Sequence, residues 1–244
     1  MSLRDKQLKK YQYQVACRTP QSAKSTSKDD PDDSVTYGPD EWLRSTILLR
    51  VATEIETINK QLIRIGCEDM EIGVVSISTL KQLAVSKSLQ LPSLNLLIPF
   101  LEASTNQEYL VHRVKELARG GCMSSFKWNG GGSFKGKDWE EHLPSDAYIV
   151  MHLLCSYLDS RLPPHPKFPD GRTFTAQHFM KTPDKPNASK KDYCCLYQSS
   201  TNPPHYKVLI ADDVMNPRKG RNNMFHAILL FFYRVQLKEH GMLG

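Results

Sequence analysis

Gly131-Gly-Ser-Phe-Lys-Gly136-Lys137 is the stretch of this chain that comes nearest to a catalytic motif. It matches seven positions of the phosphate-binding loop, in which glycine backbone N–H groups cradle phosphates and the lysine reaches toward them. The eighth position must carry a hydroxyl to hold magnesium. Here it is Asp138, followed by Trp139, Glu140 and Glu141, so three carboxylates would crowd a polyphosphate. A nucleotide-binding or hydrolytic enzyme using this loop is the alternative reading. The preferred one is a glycine loop whose aromatic residues pack back on the body.

Other reactive residue types are present but poorly spaced. His152 and Cys155 are three apart on one helical face, and His178, Cys194, Cys195 and His205 could approach them. No Cys-x-x-Cys pair accompanies them, and paired close ligands are what metal sites need. We therefore expect His152 to find a carbonyl partner in a buried helix, and we expect no metal and no cofactor. No Gly-x-Ser-x-Gly elbow exists. Asp212-Asp213 and Glu140-Glu141 read as solvated turn residues rather than an acid/base couple. Six scattered cysteines without a secretory signal read as reduced, mostly buried thiols.

Two segments read better as contact surfaces. Arg218, Lys219 and Arg221 precede a helix N-terminus, where backbone N–H groups also favour an anion or an acidic partner segment. Leu8, Tyr11 and Val15 share one face of a short helix that could dock on the body or on another protein.

The framework for these residues is a chain of 244 residues, 40% hydrophobic and 24% charged, with a net charge of +6. The apolar fraction is enough for a core, and no run approaches the ~20 apolar residues of a membrane-spanning helix. Arg4, Lys6, Lys9, Lys10, Arg18, Lys24 and Lys28 against Asp5 account for the whole excess. The rest balances, which argues against a nucleic-acid module. Residues 1–18 read as a basic arm and residues 19–40, rich in Ser, Lys, Asp and Pro, as a disordered linker. Residues 41–244 read as one globular domain.

Within that domain, apolar residues at spacings of three and four predict a long helix over 41–65, closed by Gly66. Further helices follow Ser76, run from 93 to 101 after Pro92, and open at a Thr105-x-x-Glu108 capping box. Ser145 is expected to cap a helix over 146–161. Strand-like segments at 173–180, 192–198 and 205–211 follow, the last two joined as a hairpin through Asn202-Pro203-Pro204. Asn222 or Asn223 caps a final helix to residue 238, apolar nearly all round. The predicted fold is α+β: a helical layer packed on a small antiparallel sheet, with the apolar C-terminal helix at the centre.

Several long stretches resemble the soluble C-terminal region of the transmembrane protein 209 family. They are residues 8–18, 106–110, 120–129 (Gly120-Gly-Cys-Met-Ser-Ser-Phe-Lys-Trp-Asn129), 157–167, 202–206 and 219–226. The resemblance implies a nuclear-envelope membrane protein whose transmembrane helices and Ser/Pro-rich stretch are absent here, whose 19–41 region is shorter than in relatives, and whose hydrophobic tail is missing after Gly244. It implies a soluble portion facing cytosol or nucleoplasm, and nucleoporins or other envelope proteins as partners. The domain label of that family borrows the name of a b-type cytochrome. Haem is not carried over, because such cytochromes hold it between histidines on membrane helices, and no catalytic residues come with the resemblance.

Overall fold

The computed structural model describes residues 38–163, 165–184, 193–210 and 213–238. By its contacts the chain divides after Gly38, and the unit from Pro39 onward is the one described here. The first long helix begins as α1 (Pro39–Leu43), passes through a π-helical turn (Arg44–Leu48) and continues as α2 (Leu49–Arg64). It buries Leu43, Ile47, Ile55, Ile58 and Leu62 along one stripe, each stabilising the fold by roughly 1.5–3 kcal/mol. Gly66, at φ +71°, ends it in the left-handed conformation that glycine tolerates best.

Local chemistry sets the next helices. α3 (Ile77–Ser86) is capped by Ser76, whose Oγ accepts the Thr79 N–H at 3.2 Å. α4 (Pro92–Leu101) opens on proline and carries Pro99 inside it. α5 (Gln107–Arg119) is capped by Asn106, not by the Thr105 box: the Asn106 Oδ1 accepts the Tyr109 N–H at 3.0 Å. Asparagine is the stronger cap. α6 (Asp146–Asp159) starts at Ser145 as expected.

The segment 173–180 is mostly helix rather than strand. α7 (Thr173–His178) forms there and only Phe179–Lys181 is extended, as β1. β2 (Cys194–Thr201) and β3 (Pro204–Ile210) make the expected antiparallel hairpin, and β4 (Asp213–Met215) pairs with β3. The sheet order is β1-β2-β3-β4, but β1 runs parallel to β2, so the sheet is mixed rather than antiparallel. The reason is connectivity: α7 delivers the chain to the sheet edge in the direction of β2.

α8 (Asn223–Lys238) packs on β2 and β3. It buries Met224, Phe225, Ala227, Ile228, Phe231 and Val235, whereas Leu229, Leu230 and Phe232 are only half-buried. The fold is α+β, and α6 is the more deeply buried helix, with ten of its fourteen residues out of water.

Candidate functional site

Of the residues expected to make contacts, Arg218 and Lys219 are exposed in the loop before α8. Arg221 is tied to the fold: its Nη2 donates to the Met123 and Ser124 carbonyls at 3.2 and 3.4 Å, and its guanidinium lies 6.0 Å from the Phe126 ring centre. Leu8, Tyr11 and Val15 lie outside the described residues. Asn222 accepts the His226 N–H through its carbonyl at 2.9 Å, which places the helix start. Asn223 turns inward, its Oδ1 accepting the Tyr206 N–H at 2.7 Å and its Nδ2 donating to the Tyr206 carbonyl at 3.1 Å.

The glycine loop closes on the protein. Gly130, Gly131 and Gly132 are buried. A Cβ added at Gly131 would collide with the Tyr109 hydroxyl and the Trp139 ring, and one at Gly132 with the Arg113 guanidinium. Lys137 exchanges both backbone hydrogen bonds with Phe134, at 2.9 and 3.0 Å, across Lys135 and Gly136, which both have positive φ. The next helix begins only at Asp146. This is a tight turn held against the body, without the loop-to-helix step that presents N–H groups to phosphate.

Beneath the loop lies a buried ion pair. Arg113 meets Asp146 through two bonds, Nε–Oδ1 at 2.7 Å and Nη2–Oδ2 at 2.6 Å, with side chains 1% and 0% exposed. Arg113 also donates to Glu116 and to the Ser125 carbonyl, and Asp146 accepts the Lys127 N–H at 2.7 Å. Burial pushes the Asp146 carboxyl up, against the downward pull of Arg113. Burial, with the Asp146 charge adding to it, pushes the Tyr109 phenol up to about 12. A fork with this many partners fixes α5, the glycine loop and the start of α6 relative to one another. The sequence hid this role, because Arg113 and Glu116 at i, i+3 look like a surface pair.

The opposite side of α6 lines a cleft of about 1110 Å³, walled by the ends of α3 and α4, the turn before α7, α7 itself and β1. Its walls come from segments far apart in the chain, so no local spacing in the sequence announces it. His152, Cys155, Ser156 and Asp159 face it from α6. Base, thiol, hydroxyl and acid therefore converge, yet each is held by the fold. Pro99 lies in the last turn of α4, and its carbonyl takes the His152 Nε2 at 2.8 Å and the Ser156 Oγ at 3.3 Å. A carbonyl only accepts, so both groups donate to it, and the Nε2 nitrogen cannot also take a proton from Ser156. Burial holds the His152 imidazole below the ordinary histidine range. Asp159 accepts the Thr175 N–H at 2.9 Å and the Thr175 hydroxyl at 2.6 Å. Cys155 is buried, and burial pushes its thiol up, toward the unreactive protonated form. The expected carbonyl partner for His152 is thus observed.

Charged groups line the cleft as well. Glu102 bridges Lys81 at 2.7 Å and Arg172 at 2.5 Å. Lys181 lies over the Tyr148 ring at 5.9 Å, and Tyr148 in turn stacks on His152. Asp170 and Asp184 complete the acidic set. A second groove of about 350 Å³ adjoins the cleft and shares Leu96, Phe100 and Ser160 with it.

A family model described as Cytochrome B561, N terminal, matches residues 40–244, and the chain belongs to that family. An uncharacterized protein of Caenorhabditis elegans, B0464.6, is 31% identical over 225 residues, which cover 83% of this chain and 35% of that protein. The chain thus spans 35% of the length of that curated relative. No solved structure matches. The family description is consistent with a membrane-associated protein; neither match names the transmembrane protein 209 family. Among the described residues, no helix is long and apolar enough to cross a membrane.

The family name raises the question of haem, and the histidines here do not fit it. Among the described residues, no cluster of three or more His, Cys, Asp or Glu could hold a metal. His152 is bound to Pro99, His178 Nδ1 to the Cys194 carbonyl at 2.9 Å, and His205 Nε2 to Asn216 at 2.7 Å.

Proposed function

We propose that this member of the cytochrome B561 N-terminal family is a non-enzymatic interaction domain, joined to a membrane through segments outside this chain. The observation that carries the reading is the state of the cleft. Its nucleophile, base and acid candidates are each bound into the fold by hydrogen bonds or held protonated by burial, while the hollow itself is long and open. The resemblance to the transmembrane protein 209 family supports the nuclear envelope as the setting, with nucleoporins or other envelope proteins as partners.

Crosslinking mass spectrometry of the full-length protein in isolated nuclear envelopes tests this. The expected result is a set of crosslinks from this domain to envelope or pore proteins. Reversal of Arg218 and Lys219 to Glu should weaken capture several-fold at an unchanged melting temperature, because both are exposed. Arg221 is left intact, since it holds the 121–126 turn. Unchanged capture removes those two residues from the contact surface, and an absence of crosslinks removes the reading. Saturable binding of ATP with magnesium that disappears in Lys137→Ala would instead establish the enzyme alternative on the glycine loop.

A further inference from the structure

We propose that the cleft and the groove beside it form one trough that binds an extended segment of a partner protein, laid alongside β1. The segment carries apolar side chains into the floor, a basic residue at the cleft end and an acidic residue at the groove end. This rests on the interaction-domain reading above and gives the partner a chemistry.

Shape points to a chain molecule. The two hollows meet at Leu96, Phe100 and Ser160 and follow α6 from Tyr148 to Ser160. That distance is roughly 18 Å at the helical rise per residue, which five or six extended residues would cover. The floor offers apolar surface from Leu96, Phe100, Phe179 and Met180.

The polar groups point to a polypeptide rather than an acyl chain. Ser104, Thr105 and Gln198 line the cleft, and Thr46 and Ser93 line the groove, so hydrogen-bonding groups recur along the whole length. An acyl chain would leave them without partners, which is costly. Among the described residues β1 is an edge strand, and all three of its residues line the cleft. The Thr182 N–H bonds the Gln198 carbonyl, and the Phe179 N–H turns back to Thr175 on the outer side. By strand alternation, the Phe179 carbonyl and the Lys181 N–H then face outward, toward an added strand.

Charge sets the direction. The cleft carries the carboxylates of Glu102, Asp159, Asp170 and Asp184 against Lys81, Arg172 and Lys181, so it is acidic on balance. Arg50 and Arg161 line only the groove, against the single carboxylate of Glu54. The two ends therefore differ in sign, and a bipolar segment is favoured in one orientation.

Selection of a phage-displayed random 12-residue library on the full chain tests the proposal. Leu96→Asp and Ser160→Trp, both at exposed positions on the shared ridge, serve as blocked variants, with melting temperature as the folding control. The expected result is enriched peptides with alternating apolar residues flanked by opposite charges, and at least tenfold weaker binding to both variants. Arg161→Glu should select a basic residue where the parent selects an acidic one. No enriched pattern, equal binding to the blocked variants, or saturable oleate uptake lost in those variants in place of peptide binding overturns it. Nuclear-envelope crosslinking with the same variants separates the two ideas. Unchanged crosslinks without an enriched peptide remove the trough and leave the interaction domain; no crosslinks from the parent protein remove the domain reading itself.

Discussion

Arg113 and Arg172 each meet a carboxylate at a similar distance, 2.6 Å for Asp146 and 2.5 Å for Glu102. The first pair is out of water, with both side chains at most 1% exposed, whereas Arg172 is 53% exposed. Distance alone would rank them equal. Burial separates them, because removing one member of a dry pair strands a charge, while water replaces the missing member of a wet one. The glycine-loop side of α6 is thus built as a lock and the cleft side keeps its charges available.

The largest expected effect tests that contrast directly. Arg113→Met should cost about 3–5 kcal/mol, read as a lower urea midpoint, and pairing it with Asp146→Leu should restore much of the loss. A cost under about 1 kcal/mol would erase the distinction between the two regions. Gly131→Ala comes next, at about 1–3 kcal/mol, since its methyl meets Tyr109 and Trp139 in a packed site. An unchanged midpoint there would mean that the loop stands clear of the body.

Acidification probes the buried imidazoles. His152 and His226 are both held below the ordinary value of 6.5 by burial. The unfolded chain then binds protons more readily than the folded one. Stability is full above that pH and is lost as pH falls through the depressed folded values. Urea midpoints measured from pH 7 to 5 should decline, and the decline should be shallower in His226→Leu. Arg172→Ala is the smallest effect, below about 1 kcal/mol and shrinking further in high salt. A larger loss would mean that the cleft rim is structural.

Helices were legible wherever a local signal ended or began them, as at Gly66, Ser76 and Ser145. The 173–180 segment was not, because its threonines and phenylalanine favour a strand. What makes it a helix is Asp159, which binds the Thr175 N–H and hydroxyl from another element. Such an override by tertiary contact leaves no trace in spacing. The parallel pairing of β1 is hidden for the same reason, since it depends on the helix that precedes the strand. For the candidate site, the carbonyl partner of His152 was foreseen, but not its identity as Pro99. Asp159, Asp170 and Arg172 each look like ordinary turn or helix-end charges until the fold gathers them around one hollow.

The inward carboxamide of Asn223 has a consequence for how these molecules meet one another. β4 covers β3 only at Val208, Leu209 and Ile210, so the peptide group at Tyr206 would otherwise stand open to a passing strand. Asn223 offers that backbone one acceptor and one donor, as a neighbouring strand would. A single amide thus finishes the sheet and guards the hairpin against polymerising with its own kind.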